Sequence, residues 1–415
     1  MSSWSAPRAQ RAVAGEVQIP GSKSETNRAL ILASLSIRPV SIYNPLAARD
    51  TELMARALTG FGARIARGGE LWRVTPAQQI ASPGTIDCGL AGTVMRFCPP
   101  IALLASEPTD FVGDAQAGGR PMGGLLSGLR QLGAAVSGDS LPFRVTPPRL
   151  WTRSQVSVDA TSSSQFVSGL LLAAPRYPNG LRVDRIGQMP SAPHVDMTVK
   201  MLRRAGVAVR SGPDWWQVSP GQIVPGIIHV DPDLTNASAF LAAAAATGGS
   251  VTVPNWPETT TQAGDRIRDI LTQFGAKVEF DSGSLRVIGD QLAGIKINLR
   301  SASELTPVVA ALAALADGDT TISGVGHIRG HETDRIAALA TELSKVGAKV
   351  TPLPDGLHIS PGPLRPATLQ SHADHRMVHA FSIIGLHADV EIAGVECVAK
   401  TMPDFTDRWH NLVQG

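Results

Sequence analysis

The sequence predicts an α/β protein of two similar domains, each built from three βαβ-type repeat units. Three observations lead there. At 415 residues the chain is too long for one hydrophobic core. A phrase consisting of an amphipathic helix, a Gly-Ala or Gly-Val break and a short strand recurs five times. Its glycines, Gly62, Gly133, Gly206, Gly275 and Gly347, step by 71, 73, 69 and 72 residues. Interleaved with it is a second phrase of six copies: a polar cap, a small-residue apolar helix and a strand.

Each element follows from its residues. The stretch from Pro20 to Arg28 reads as a turn running into a helix. Pro20 and Gly21 break what precedes them, and Ser24, Thr26 and Asn27 offer acceptors for free N–H groups. The other five copies of this second phrase begin at Gly92-Thr93, Ser163-Ser164, Asn236-Ala237, Ser303-Glu304 and Asp374-His375. Ala239 to Ala246 is apolar nearly all round, which marks these helices as buried. The glycine of the first phrase fits a left-handed helix C-cap. The last copy of that phrase is incomplete, and residues 1–20 are expected to pair with the last unit, making one domain discontinuous.

Composition narrows the function. Hydrophobic residues make up 43% and charged residues 17%, far from a disordered profile. A net charge of +2 is too small for bulk attraction to nucleic acid, so any basic site is local. Cys88, Cys98 and Cys397 fit neither a disulfide framework nor a zinc pattern, and a reducing cytoplasm is expected. Neither a secretory signal nor a membrane-length apolar run is visible.

Polar residues beside the inner-helix starts suggest the chemistry. They are Lys23, Ser24 and Arg28; Thr93 and Arg96; Ser163, Ser164 and Gln165; Asn236; Glu304; and Asp374, His375 and Arg376. Helix starts favour anions through exposed N–H groups and the helix dipole. Each cation alone reads as a solvated loop residue, but arginines at three matched starts exceed what a structural repeat needs. Two such domains facing each other predict a cleft for a small anion carrying phosphate and carboxylate. Arg120 between glycines and a proline, Glu332 and Arg335 three apart, and Lys400 before the last helix add charges in loops.

In order along the chain stand PGSKSETNRA, GLAGTVMRF, GRP, SSSQF, PSAPH, RGHETDR, DHRM and AKTMPDF. Together they closely resemble the 5-enolpyruvylshikimate-3-phosphate synthase family. The resemblance implies an inside-out α/β barrel architecture of two domains, each of three βαβαββ units, with a cleft between them. It places one domain at residues 1–20 plus 227–415 and the other at 21–226, with a two-strand hinge near 20 and 226. The implied reaction moves the enolpyruvyl group of phosphoenolpyruvate to the 5-hydroxyl of shikimate 3-phosphate, releasing phosphate through a tetrahedral intermediate. This serves aromatic amino acid biosynthesis and needs no metal or cofactor.

Carried over by motif, Lys23, Ser24, Arg28, Ser163, Ser164, Gln165, Ser191, Glu304 and His331 are implied to hold shikimate 3-phosphate. Lys23, Gly92, Arg120, Gln165, Arg335, Arg376 and Lys400 are implied to hold phosphoenolpyruvate. Glu304 is implied as base and Glu332, beside Lys23, as its partner acid, with Lys23 the third catalytic residue. Four positions depart from common family members. Glu304 replaces Asp, Leu90 replaces Asn, Phe97 replaces Pro and His331 replaces Lys. Because His loses its charge near neutral pH, shikimate 3-phosphate affinity is expected to fall as pH rises from about 6 to 8.

Three other readings compete. A UDP-N-acetylglucosamine enolpyruvyl transferase would carry a reactive cysteine near Gly113 to Pro121, where none stands. An RNA 3′-phosphate cyclase would need a more basic surface and a catalytic histidine. A non-catalytic repeat scaffold leaves Glu304 and Glu332 among cations unexplained. The chain is therefore expected to be a cytoplasmic, monomeric small-molecule enzyme with no nucleic-acid or membrane partner.

Overall fold

The computed structural model describes residues 2–415. The chain divides into two compact units. A continuous unit spans Gly21–Val230, and a split unit joins the residues up to Pro20 with Asp231–Gly415. Each has its own hydrophobic core. The second passage between units falls at residue 230, four residues beyond 226. Strand Ile227–His229 pairs in parallel with Val40–Tyr43, and the Tyr43 and His229 rings stack 4.9 Å apart.

The continuous unit holds α1 (Lys23–Ser34), α2 (Arg49–Gly60), α3 (Gly92–Ala102), α4 (Gly123–Gln131), α5 (Gln165–Ala173) and α6 (Pro193–Arg204). Its strands form three four-stranded sheets, one per repeat. In the second repeat, Thr85–Asp87 runs parallel to Thr109–Val112 across α3, and the hairpin Ala135–Ser137/Phe143–Thr146 adds antiparallel beyond α4. A parallel pair requires a crossover, and the apolar helix supplies it. Every residue of α3 is buried, whereas α4 buries only one face. This alternation of inner and outer helices matches the two phrases of the sequence.

The split unit repeats the plan with α7 (Leu234–Thr247), α8 (Ile267–Phe274), α9 (Thr306–Leu315), α10 (Arg335–Lys345), α11 (His375–Gly385) and α12 (Phe405–Gln414). Its first sheet begins with Ala14–Glu16, parallel to Ser250–Val253. Its third sheet lacks the closing hairpin. Ser3–Ala6 takes that edge instead, antiparallel to Val390–Ala393, which is why the last sequence phrase is incomplete. Gly385 lets this strand approach α11, since a Cβ there would meet the Ala6 Cβ at 2.5 Å. The five repeated glycines all have positive φ, between +80° and +110°, as a left-handed helix end requires. Among the described residues no helix is long and apolar enough to cross a membrane.

Candidate active site

In the continuous unit the starts of α1, α3 and α5 are bonded to one another. Ser22 caps α1, and the Asn27 amide donates to Thr93 Oγ1 at 2.8 Å. Lys23 Nζ lies 3.3 Å from the buried carboxylate of Asp50, which opens α2. Arg28 donates to Thr198 Oγ1 (2.7 Å), Ser24 O (2.9 Å), His194 O (2.9 Å) and Ser168 Oγ (3.4 Å). None of these partners is a carboxylate. Burial lowers the Arg28 guanidinium to about 9, opposed by the charge of Glu25.

At the start of α3, Gly92 faces two guanidinium groups. A Cβ there would lie 2.9 Å from Arg120 Nη2 and 3.0 Å from Arg96 Nη1. Arg120 donates to Leu90 O at 2.9 Å; Arg96 donates to Gln165 Oε1 at 2.9 Å and to Pro121 O at 3.1 Å. Burial, and then the like charge of Arg120, push Arg96 well below the usual arginine range. At the start of α5, Ser163 Oγ accepts from the Gln165 N–H at 3.2 Å. Ser191, before α6, is buried and holds φ +49°, a conformation unusual for a side-chain-bearing residue.

In the split unit two of the cations, Arg335 and Lys400, are paired with carboxylates, whereas burial and then the like charge of Arg335 lower Arg376. Arg335 meets Asp374 through Nε–Oδ2 at 2.7 Å and Nη2–Oδ1 at 3.2 Å, both side chains being buried. Asp374 also caps α11 by accepting from the Arg376 N–H. Burial works against its charge, and Arg335 outweighs it, leaving the carboxyl below the usual range. Glu332 bonds Lys400 Nζ at 2.8 Å with one oxygen and faces His375 Nδ1 at 3.3 Å with the other. Within this unit Lys400 is the cation bonded to Glu332. Glu304 sits on the turn Ser303–Leu305 before α9, and its charge reaches His327, Arg335 and Arg376.

The expected site residues thus gather into two sets. Lys23, Ser24, Arg28, Gly92, Arg120, Ser163, Ser164, Gln165 and Ser191 belong to the continuous unit. Glu304, His331, Glu332, Arg335, Arg376 and Lys400 belong to the split unit. The departures have visible consequences. Leu90 buries its side chain in the core and offers only its carbonyl to Arg120. Phe97 lies beneath Arg28, 5.1 Å from guanidinium carbon to ring centre. His331 Nδ1 is 3.2 Å from Arg335 Nη1. A guanidinium only donates, so that nitrogen is the acceptor in this contact.

Sequence reasoning missed Asp50, Thr198 and His194, and placed Arg96 and Asp374 at helix starts without assigning either a substrate. Asp374 carried a signal, an N-cap residue directly before a helix. Thr198 carried none, because its contact with Arg28 spans 170 residues. Glu332, Asp374 and His375 bring ligand atoms within 4.8 Å of one another. Both carboxylates already bond cations, so a metal there would have to displace Lys400 and Arg335.

A family model for EPSP synthase (3-phosphoshikimate 1-carboxyvinyltransferase) matches residues 7–409. A 2.37 Å structure of EPSP synthase from Acinetobacter baumannii is similar with a TM-score of 0.82 and 25% identity, over 99% of this chain and 97% of that one. Another EPSP synthase structure from the same organism gives 0.81 and 24%, over 99% and 98%. The enolpyruvyl transferase NikO from Streptomyces tendae shares the fold at 0.77 and 16%, over 99% and 97%. Matched over nearly all its length, with the repeats and the charged helix starts in place, the chain belongs to the EPSP synthase family.

Proposed function

We propose that the continuous unit grips the anionic groups of the substrates while the split unit handles the protons. The activity is that of the family. The chain is a transferase that moves the enolpyruvyl group of phosphoenolpyruvate onto the 5-hydroxyl of shikimate 3-phosphate and releases phosphate. What carries the assignment of roles is the geometry at Gly92, where Arg96 and Arg120 converge on a helix start with no side chain between them.

In this reading Lys23, Ser24, Arg28, Ser163, Ser164 and Ser191 bind shikimate 3-phosphate. Gly92, Arg120 and Gln165 bind phosphoenolpyruvate, joined by Arg335, Arg376 and Lys400. Glu304 takes the proton of the 5-hydroxyl as the C–O bond forms. Glu332 delivers a proton to the methylene carbon, and its carboxylate then takes one back from the methyl group as phosphate leaves the tetrahedral intermediate. Lys400 has a second task. When phosphoenolpyruvate draws it from Glu332, that carboxylate loses its cation and gains affinity for a proton.

The enzyme works in this reading as a cytoplasmic monomer on small molecules alone. A net charge of +2 supports the absence of a nucleic-acid partner. Cys88 is buried, its thiol pushed by burial up to about 12, which disfavours the cysteine-bearing transferase class. Phosphate release is the test. It is expected with phosphoenolpyruvate and shikimate 3-phosphate and not with UDP-N-acetylglucosamine. Lys23→Met should abolish turnover, and Glu304→Ala should lower it strongly while binding stays measurable. Full turnover in either variant would overturn the assignment.

A further inference from the structure

Arg96 is a buried cation that the motif carry-over leaves without a task. Its side chain is 4% exposed and bonds no carboxylate. Three groups fix it instead. The Gln165 amide oxygen accepts from Nη1, the Pro121 carbonyl accepts from Nη2, and the Phe166 ring lies 5.6 Å from the guanidinium carbon. The same device recurs one repeat earlier, where Arg28 stacks on Phe97. In both, an arginine on an inner helix lies over a phenylalanine of the next repeat, 69 or 70 residues ahead. A cation over a ring face is held in position without being neutralised.

We infer that Arg96 is a positioning residue that sets the Gln165 amide and the Arg120 loop for an anion at Gly92. A guanidinium only donates, so the amide atom facing Arg96 must be the oxygen. That leaves the Gln165 NH₂ as the end able to donate to a ligand. Pro121 directly follows Arg120, so the bond to its carbonyl also fixes the backbone that carries Arg120. Phe166 lies against the guanidinium from which both bonds are made. Lysine cannot replace this arrangement, because a single ammonium lacks the planar fork that spans two acceptors and lies flat on a ring.

The inference rests on the reading that phosphoenolpyruvate binds at Gly92, Arg120 and Gln165, and the experiment separates the two. KM and kcat are measured for both substrates in Arg96→Lys, Gln165→Ala, the double variant, Phe166→Leu, Phe166→Tyr and Arg120→Met, with thermal melting of each. Arg96→Lys should raise the KM for phosphoenolpyruvate by about tenfold, the worth of one charge-assisted hydrogen bond. It should leave the KM for shikimate 3-phosphate within about twofold. The double variant should be little worse than Gln165→Ala alone, because Arg96 acts through that amide. Phe166→Tyr should keep the wild-type KM, whereas Phe166→Leu should not. Strictly additive effects, or a KM rise for both substrates in Arg96→Lys, would overturn the inference. So would unchanged KM with only a lowered melting temperature. If Arg120→Met and Gln165→Ala also leave the phosphoenolpyruvate KM unchanged, the underlying reading fails as well.

Discussion

Arg28 and Arg96 in the continuous unit and Arg335 in the split unit are equally withdrawn from water, at 1%, 4% and 2% exposure. Their surroundings differ. Arg335 forks onto Asp374. Arg28 and Arg96 meet only carbonyls, hydroxyls, an amide oxygen and ring faces. The pKa directions follow. Burial dominates for Arg28 and Arg96 and lowers both, as it does Arg376 of the split unit; at Arg335 burial again works against the charge, but Asp374 together with Glu332 and Glu304 outweighs it. A buried cation without a counter-charge is costly unless a ligand supplies one. The continuous unit therefore reads as a receptor for anions. The split unit, with Glu332 against Lys400 and Asp374 against Arg335, reads as a set of oriented acids and bases.

The comparison breaks most visibly in stability. Arg335→Met leaves Asp374 buried without its partner, and should cost about 3–5 kcal/mol. Arg96→Met removes a cation that has no carboxylate partner but leaves the Gln165 and Pro121 oxygens without their donor, and should cost about 1–2 kcal/mol. Urea unfolding of the two variants measures both. Equal losses would show that the two units hold their cations alike.

A smaller effect is expected at Gly92. In Gly92→Ala the new methyl group meets only the far ends of Arg120 and Arg96, so the fold should tolerate it. The guanidinium groups must move, and the KM for phosphoenolpyruvate should rise on the order of tenfold. An unchanged KM, measured by phosphate release, would remove Gly92 from the anion site.

Acid should distinguish the units more gently. Eight of the ten histidines lie in the split unit. Burial pushes His375 and His379 down to about 3, with Glu332 opposing at His375 and Arg376 assisting at His379. Unfolded imidazoles titrate near 6.5. Between those values the unfolded chain binds more protons, so stability is full above about 6.5 and declines as pH falls toward 3. Asp374, held low by Arg335, adds a loss in the same direction at the acid end. Hydrogen exchange should show α11 losing protection at a higher pH than α3. The reverse order would contradict these directions.

Much of this was legible in the sequence because it repeats. The five stepped glycines mark outer-helix ends, and the apolar runs mark the inner helices, each a local consequence of backbone conformation or of burial on all sides. The charged helix starts were legible for the same reason. The closing of the last repeat by Ser3–Ala6 was legible only as an incomplete phrase, because a strand's partner some 387 residues away leaves no local trace. The strand Ile227–His229 was assigned to the other unit, since its parallel partner Val40–Tyr43 is equally remote. The contact of His331 with Arg335 was hidden too, because it depends on where Arg335 points.

The contrast between Arg28 and Arg96, which meet no carboxylate, and Arg335, which does, is tested most directly by hydrogen exchange with and without shikimate 3-phosphate. The amides opening α1 and α5, around Lys23 to Arg28 and Ser163 to Gln165, should gain protection well beyond those of α8 and α10. Equal protection in both units, or none at α1 and α5, would contradict the assignment of anion binding to the continuous unit.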